Sequence, residues 1–419
     1  MTHQQPALTG ASRLGLHDLR MRQDGPEWLV GRVDVGDFVA IPPVGVRVIQ
    51  LLSDGLALND AASRLRAETG QQIDVAEFAA CMVGLGFVAS VDGHELDTPP
   101  ARRSSLIWLK RRYVQWLLSP VLHVAVAATI ATGLGVLAAR PDLWPSPRDA
   151  LWSDRSSVVL VSGATVSWML MFLHELAHLS TARAVGVPGR LQLSTRLYFL
   201  VAQTELSGIW SAERRIRLTV YLAGMALDAT IGAVAVLVLA TVEPTGAAHR
   251  ALSFLVVMVT FVLVPQLAVF MRTDLYFVMQ DLTRCRNLSA DGAAYAVHLA
   301  KRLIHRTPTD PSAGLPPQER RAVRVYTVLL VLGSAACLGI TISITFALIE
   351  NTVAELLANR SWPSVLDAAL VLVTLGSLKG LWLRAWWSRH GDRVKQALNV
   401  RTPEGLCCRA RWRTAQRVD

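Results

Sequence analysis

Long apolar runs separated by short charged segments dominate the chain from residue 117 onward. A helix needs about 20 apolar residues to cross the hydrocarbon core of a bilayer. The runs that are long enough lie at 117–139, 156–182, 218–242, 252–271, 325–349 and 365–383. The pattern therefore predicts a mainly α, polytopic membrane protein with about six transmembrane helices.

The N-terminal region has a shorter pattern, which is typical of a small α+β domain. Residues 28–33 and 37–41 are rich in β-formers and are separated by a Gly/Asp turn, so they predict a hairpin. Short helical patterns follow, of which the first ends at Gly55 and the second at Gly70. Residues 14–93 are therefore expected to form a winged-helix-like unit that precedes the membrane region.

The composition supports the membrane assignment. Hydrophobic residues make up 52% of the chain and charged residues 18%, whereas soluble domains carry about 25% charged residues. The net charge is +10 at pH 7, but the basic residues are grouped between the apolar runs. That grouping indicates loops at a membrane surface and argues against a nucleic-acid-binding protein. The five cysteines are scattered, which predicts a reducing environment without a disulfide framework.

Arginine and lysine also predict the orientation in the membrane. They are concentrated in the loops that follow the second and fourth runs and in the segment after the sixth. Loops rich in these residues stay on the cytoplasmic side. We therefore expect a multi-pass protein of the cell membrane with both termini in the cytoplasm and no signal peptide. The expected divisions are a basic linker at 94–116, a membrane domain at 117–388 and a basic cytoplasmic tail at 389–419.

One charged motif interrupts the second apolar run. His174, Glu175 and His178 form the pattern H-E-x-x-H, and no charged side chain precedes them between residues 156 and 173. On a helix the two histidines share one face and can bind one Zn²⁺ ion, while Glu175 can accept a proton from water. Charged side chains in an apolar span are costly unless they have a function. The motif therefore predicts a zinc site.

A catalytic zinc site needs a third protein ligand and an open fourth position. Asp274, at the cytoplasmic end of the fourth run, is the candidate, because the predicted topology brings it to the same depth as the histidines. Asp281, two helical turns further along, is the reserve candidate. The alternative for Asp274 is an ordinary interfacial ion pair with Arg272.

Asp228 lies inside the third apolar run, between Gly224 and Gly232. The three positions are spaced to share one helix face, and glycines there let a neighbouring helix approach. Asp228 is predicted to point into the bundle, where it would position a substrate or a metal ligand, or form a simple interhelical hydrogen bond. Residues 190–201 predict a β or re-entrant hairpin beside the site, with a plain interfacial loop as the alternative.

The chain resembles two known families. His174, Glu175 and His178 are similar to the motif of the site-2 protease-like (M50) membrane zinc metalloproteases, in which a later helix supplies an aspartate ligand. Asp274 matches that acid, and Asp228 stands where the family often has asparagine. The stretch LLSDG followed by ALNDAASRLRAETG resembles the PqqD-like domains, which hold the leader peptides of ribosomal peptide natural products as an added strand.

These resemblances imply a zinc metalloendopeptidase that cleaves a leader-bearing or membrane-proximal peptide during the maturation of ribosomal peptide natural products. The implied partners are a precursor or leader peptide and membrane lipid, without nucleic acid. The alternative is a non-catalytic membrane protein of the same fold that binds or exports peptide or gives immunity. For the N-terminal unit the alternative is a regulatory or dimerising winged helix. The sequence leaves the oligomeric state open.

Overall fold

The computed structural model describes residues 8–358 with short gaps, and little of the chain beyond them. The gaps are 71, 102–103, 151, 153–155, 197–198, 245, 286 and 305–308, and beyond 358 only scattered positions from 362 to 387 and the pair 414–415 are described. Within these residues the protein is mainly helical, with a small sheet region near the N terminus. The predicted mainly α class is confirmed at this level.

The N-terminal unit combines short strands with helices, as its pattern predicts. Its elements are β1 (Leu14–Leu16), β2 (Arg20–Asp24), β3 (Glu27–Arg32), β4 (Asp37–Ile41), α1 (Pro43–Ser53), α2 (Leu58–Thr69), α3 (Val75–Gly84), β5 (Val88–Val91) and β6 (His94–Glu95). The strands β2, β3 and β4 form an antiparallel meander, and β1 pairs with β5. The predicted hairpin corresponds to β3 and β4. Thr414–Ala415 pair with the outer edge of β4, and the rest of the predicted tail lies outside the described residues.

The sheet of the N-terminal unit has two apolar faces. Successive side chains of a strand point to opposite sides, so Val30 and Val39 pack against the helices in one buried core. Leu29 and Phe38 point the other way and contact Trp210, which belongs to the membrane region. The second face of the sheet therefore packs against the membrane region.

The membrane region contains most of the helices. Its elements are α4 (Arg111–Val114), α5 (Pro120–Ala139), α6 (Ser156–Ala184), β7 (Arg190–Arg196), β8 (Phe199–Glu205), α7 (Arg214–Leu239), α8 (Ala247–Leu263), α9 (Asp274–Thr283), α10 (Leu288–Leu303) and α11 (Pro317–Ala358). The segments that are long and apolar enough to cross a membrane are Pro120–Ala139, Arg214–Leu239, Ala247–Leu267 and Pro317–Ser343. They correspond to the first, third, fourth and fifth predicted runs.

The described residues thus contain four candidate spans where six were predicted. The second predicted run forms α6, a helix of 29 residues, which at 1.5 Å per residue is about 44 Å long. It is not among the four, and it differs from them in carrying the charged motif on a buried face of its C-terminal half. The sixth predicted run, 365–383, lies largely outside the described residues.

Helix α7 lies at the centre of the membrane region and contacts α5, α6, α8 and α9. Small residues make these contacts close. A Cβ atom added at Gly133 of α5 would lie 2.7 Å from the Cβ atom of Ala233, and one added at Gly232 would lie 3.0 Å from Val259 of α8. Because close backbone approach requires small side chains, these positions let α7 bring the neighbouring helices together around one site.

The segment before α5 forms hydrogen bonds with the end of α6 and with the strand β7 that follows it. The main-chain oxygen of Ser105 accepts a hydrogen bond from Arg183 of α6 at 3.0 Å. The hydroxyl oxygen of Ser105 accepts another from the main-chain N–H of Leu191 in β7, also at 3.0 Å. Trp108 and Tyr113 of the same segment are exposed. The segment therefore holds the β7–β8 hairpin against the end of α6.

Candidate metal centre

The H-E-x-x-H motif is helical, and its two histidines lie next to each other. His174 and His178 are both buried, and their ring centroids are 4.8 Å apart. The helix places them one turn apart on the face that packs against α7. The expected pairing of the two rings is therefore present in the structure.

Asp274 completes a cluster with the two histidines. Its Oδ2 atom lies 2.8 Å from His174 Nε2 and 3.1 Å from His178 Nε2. The two Nε2 atoms are themselves 3.1 Å apart. Among the described residues, this is the group of His, Cys, Asp and Glu side chains arranged to hold a metal ion. Two of its members come from α6 and one from α9, 96 residues further along the chain.

The hydrogen bonds on the far side of each ring determine where its proton lies. His178 Nδ1 is 2.8 Å from the main-chain oxygen of Val220, which can only accept, so Nδ1 carries the hydrogen. His174 Nδ1 is 2.5 Å from Oδ2 of Asp228 and donates in the same way. When the rings are neutral, both Nε2 lone pairs therefore point at the carboxylate of Asp274. These three atoms could therefore hold a cation between them, since His and Asp side chains are common ligands of divalent metal ions.

Asp228 supports the cluster from inside the bundle. It is fully buried, and its contact with His174 fixes both the tautomer and the orientation of that ring. Its second carboxylate oxygen, Oδ1, is buried without a hydrogen-bond partner among the described residues. The contact is a hydrogen bond between α6 and α7, and it also orients His174, a candidate metal ligand. It therefore fits two of the roles that the sequence left open for Asp228, the positioning of a metal ligand and a simple interhelical hydrogen bond.

The start of α9 explains how Asp274 reaches the histidines. The chain leaves α8 through short 3₁₀ turns and reverses at Arg272, whose φ is 58°. The side-chain oxygen of Gln266 then accepts a hydrogen bond from the main-chain N–H of Asp274 at 3.2 Å. Arg272 lies over the ring of Tyr276 and forms no described ion pair with Asp274. Asp274 therefore begins a helix, whereas the sequence placed it at the end of the preceding one.

Asp281, the reserve ligand, does not belong to the cluster. Its two carboxylate oxygens accept hydrogen bonds from Arg217 at 2.5 and 3.0 Å, and both side chains are buried. Arg217 also donates to the main-chain oxygen of Ala212 at 3.0 Å. Asp281 is therefore a structural partner that joins α9 to the start of α7.

Glu175 is held by a residue that the sequence did not single out. The hydroxyl of Thr204, in β8, lies 2.6 Å from Oε2 of Glu175 and 3.1 Å from its main-chain oxygen. The predicted hairpin exists as β7 and β8, with Leu191 opposite Thr204. Gly189 lets the base of the hairpin approach α6, because a Cβ atom there would lie 2.6 Å from Leu179. The alternation of apolar and polar residues predicted the hairpin, but the predicted segment, 190–201, ended before Thr204.

A cleft beside the cluster gives access to Glu175. The cleft is lined by Glu175, His178, Gln203, Thr204, Glu205, Leu206, Ile209, Trp210, Tyr221, Asp274 and Phe277. One wall is the polar end of β8 and the other is aromatic. The arrangement can hold a metal ion, place a carboxylate beside it and admit an extended chain along the strand edge.

Comparisons with known proteins give no match. No protein-family model, no curated protein and no solved structure matches the chain. The resemblances to the M50-like metalloproteases and to PqqD-like domains therefore remain predictions, and function is inferred from the site.

Gly224 of α7 has no room for a side chain. A Cβ atom there would lie 2.5 Å from His174 Nε2 and 2.6 Å from His178 Nε2. We expect Gly224→Ala to push the rings out of place and to weaken Zn²⁺ binding by about 10- to 100-fold, the range seen when the support of a metal ligand is altered. Competition with a chromogenic chelator measures the change. Gly232→Ala on the same helix, where the contact is the movable side chain of Val259, is the control that should keep its affinity.

Proposed function

We propose that the protein is a membrane-embedded zinc metallopeptidase that cleaves a leader-bearing or membrane-proximal peptide. The observation that carries the proposal is the cluster of His174, His178 and Asp274, whose lone pairs converge at 2.8–3.1 Å with Glu175 beside them. Two histidines and a carboxylate, with a glutamate next to the first histidine, are the donor set of zinc peptidases that activate water.

The donor set fits zinc. Zinc–nitrogen and zinc–oxygen bonds of about 2.0–2.1 Å in a tetrahedron place ligand atoms about 3.3 Å apart, close to the observed separations of 2.8–3.1 Å. Three protein ligands leave a fourth position open, as catalytic sites do. A zinc ion held by the three protein ligands would polarise the scissile carbonyl and would lower the pKa of a water molecule at the open position.

The chain's own residues supply the proton transfers. Glu175 takes a proton from the water that adds to the carbonyl carbon. It then gives that proton to the nitrogen of the leaving amine as the carbon–nitrogen bond breaks. Thr204 donates to one carboxylate oxygen of Glu175, which leaves the other oxygen to face the water. Asp228 and the main-chain oxygen of Val220 hold the two rings in the tautomer that ligation requires.

The membrane arrangement in this proposal has six spans with both termini in the cytoplasm. The four apolar helices support it, and α6 and the run at 365–383 would be the other two spans. The charged motif then lies near the cytoplasmic face, on the same side as the N-terminal unit. That unit would bind the leader as a strand added to a sheet edge, which raises the local concentration of the peptide at the site.

The contact between Thr204 and Glu175 leads to a further expectation. Thr204→Val keeps the shape of the side chain but removes the donor. We expect the rate of peptide cleavage to fall by about 10-fold, because hydrogen bonds to charged groups are among the stronger ones, while zinc content stays the same. Thr204→Ser should recover most of the rate. Thr181→Val removes a hydroxyl that donates to a helix carbonyl on α6 and serves as the control.

A direct comparison of two proteins tests the proposal. Wild type and Glu175→Gln are purified with bound zinc and incubated with a short candidate precursor peptide encoded beside the gene. Mass spectrometry should show a shortened product with wild type, and a rate about 10²- to 10⁴-fold lower with the variant, as expected when a general base is removed. The same product at the same rate from both proteins would refute the peptidase assignment.

A further inference from the structure

A large cavity lies between the N-terminal unit and the membrane region. Its volume is about 700 Å³. We call it the vestibule. It is bounded by the β2–β3 turn, the start of α7 and the segments around α9, α10 and the start of α11. Its wall carries charges of both signs, among them Arg22, Arg214, Arg284, Asp24, Glu27 and Glu319. A cavity with such a wall is hydrated and does not suit an apolar helix.

The linings of the vestibule and the cleft have one residue in common. Trp210 lines both cavities. Its ring contacts Leu29 and Phe38 of the N-terminal sheet, and the guanidinium of Arg217 lies over it at 5.6 Å. Both cavities therefore border the same side chain, which also packs on the sheet of the N-terminal unit.

The opposite side of the cluster is closed. Gly224 of α7 packs so tightly on the two histidine rings that no methyl group fits between them. A substrate that came from the lipid between α6 and α7 would have to separate these helices at the metal ligands. The outer surface of α6 presents Trp168 and Phe172, which are exposed and apolar, but they point away from the cluster. Among the described residues, the large polar cavity next to the cleft is the vestibule under the N-terminal sheet.

We infer that the substrate is a water-soluble, extended polypeptide segment that enters through the vestibule, rather than a membrane-spanning helix that enters from lipid. This inference rests on the proposed peptidase function and specifies its substrate class. Charged side chains of the segment would be matched by the charges of both signs on the vestibule wall. The segment would pass Trp210 and extend along β8 in the cleft, with its scissile bond beside Glu175.

Two probes and two variants test the inference. The probes are fluorescently labelled casein, an unfolded soluble protein, and a labelled synthetic peptide that forms one transmembrane helix, both added to the full-length protein in lipid nanodiscs. Gly314→Trp places a large side chain on the vestibule wall. Ala313→Trp is the matched control. Ala313 precedes Gly314 in the same turn and is exposed, but it does not line the vestibule. Zinc content and thermal midpoint are measured for every variant to confirm folding.

The expected result is cleavage of casein by wild type and by Ala313→Trp, at least 10-fold slower cleavage by Gly314→Trp, and no cleavage of the transmembrane peptide. Cleavage of the transmembrane peptide, or equal cleavage of casein by both variants, would overturn the inference. Failure of wild type to cut casein would also overturn it. The precursor comparison with Glu175→Gln decides the peptidase function separately, so the two failures can be told apart.

Discussion

Replacement of His178 by alanine is expected to remove the metal ion from the purified protein. Wild type should carry about one equivalent of zinc, and His178→Ala should lose nearly all of it, because only two of three ligands remain. A similar loss is expected for His174→Ala, since Nε2 of each histidine contacts both the other histidine and Asp274. Elemental analysis after dialysis against a weak chelator measures the content.

The control for this loss is His123→Ala. His123 lies on α5, where its Nε2 atom contacts the main-chain oxygen of Leu117, and it has no part in the cluster. Its removal should leave the zinc content unchanged. Wild-type protein with no bound zinc, or equal zinc in wild type and His178→Ala, would contradict the metal site. That outcome would favour a non-catalytic protein that only binds or exports peptide.

Replacement of Asp281 by alanine is expected to cause the largest loss of stability. The substitution leaves Arg217 as a buried charge with its ionic partner removed, and breaking a buried pair in this way costs about 3–5 kcal/mol. Unfolding by sodium dodecyl sulfate in mixed micelles, followed by tryptophan fluorescence, measures the change in the free energy of unfolding.

Two further variants separate the charge effect from the loss of packing. The double variant Arg217→Met with Asp281→Leu removes both charges and should recover most of the stability, because a well-packed apolar pair can replace a buried ion pair. Asp142→Ala breaks an exposed pair with Arg140 and should change stability little. Equal stability of Asp281→Ala and wild type would show that the pair does not support the junction of α7 and α9.

The sequence contained enough information to predict the three candidate ligands because each is a polar side chain in or beside an apolar run. His174 and His178 share a helix face by their spacing alone. Asp274 was predicted as the third ligand because it is an acidic residue at the end of an apolar run. The orientation inferred from the arginines places that end at the same depth in the membrane as the two histidines. Its position at the start of α9 could not be predicted, since the reversal at Arg272 depends on left-handed backbone geometry in a residue that rarely adopts it.

The supporting residues were harder to predict because their roles depend on three-dimensional register. Thr204 reaches Glu175 only through the pairing of β7 with β8. The sequence pattern assigned Arg217 only to an arginine-rich cytoplasmic loop, although its side chain is buried in an ion pair with Asp281. Trp210 has no sequence signal, because its role comes from the docking of the N-terminal sheet. Local periodicity finds elements, but contacts between distant elements are decided by packing.

The central claim is that the protein hydrolyses a peptide bond with the help of Glu175. The most direct test is whether an oxygen atom from water enters the product. Wild type and Glu175→Gln cleave the precursor peptide in water enriched in heavy oxygen, and the new carboxyl terminus is examined by mass spectrometry. The proposed function requires one heavy oxygen atom in the carboxyl group formed by wild type and almost no product from the variant. A new terminus without heavy oxygen, or equal labelled product from both proteins, would contradict hydrolysis assisted by Glu175.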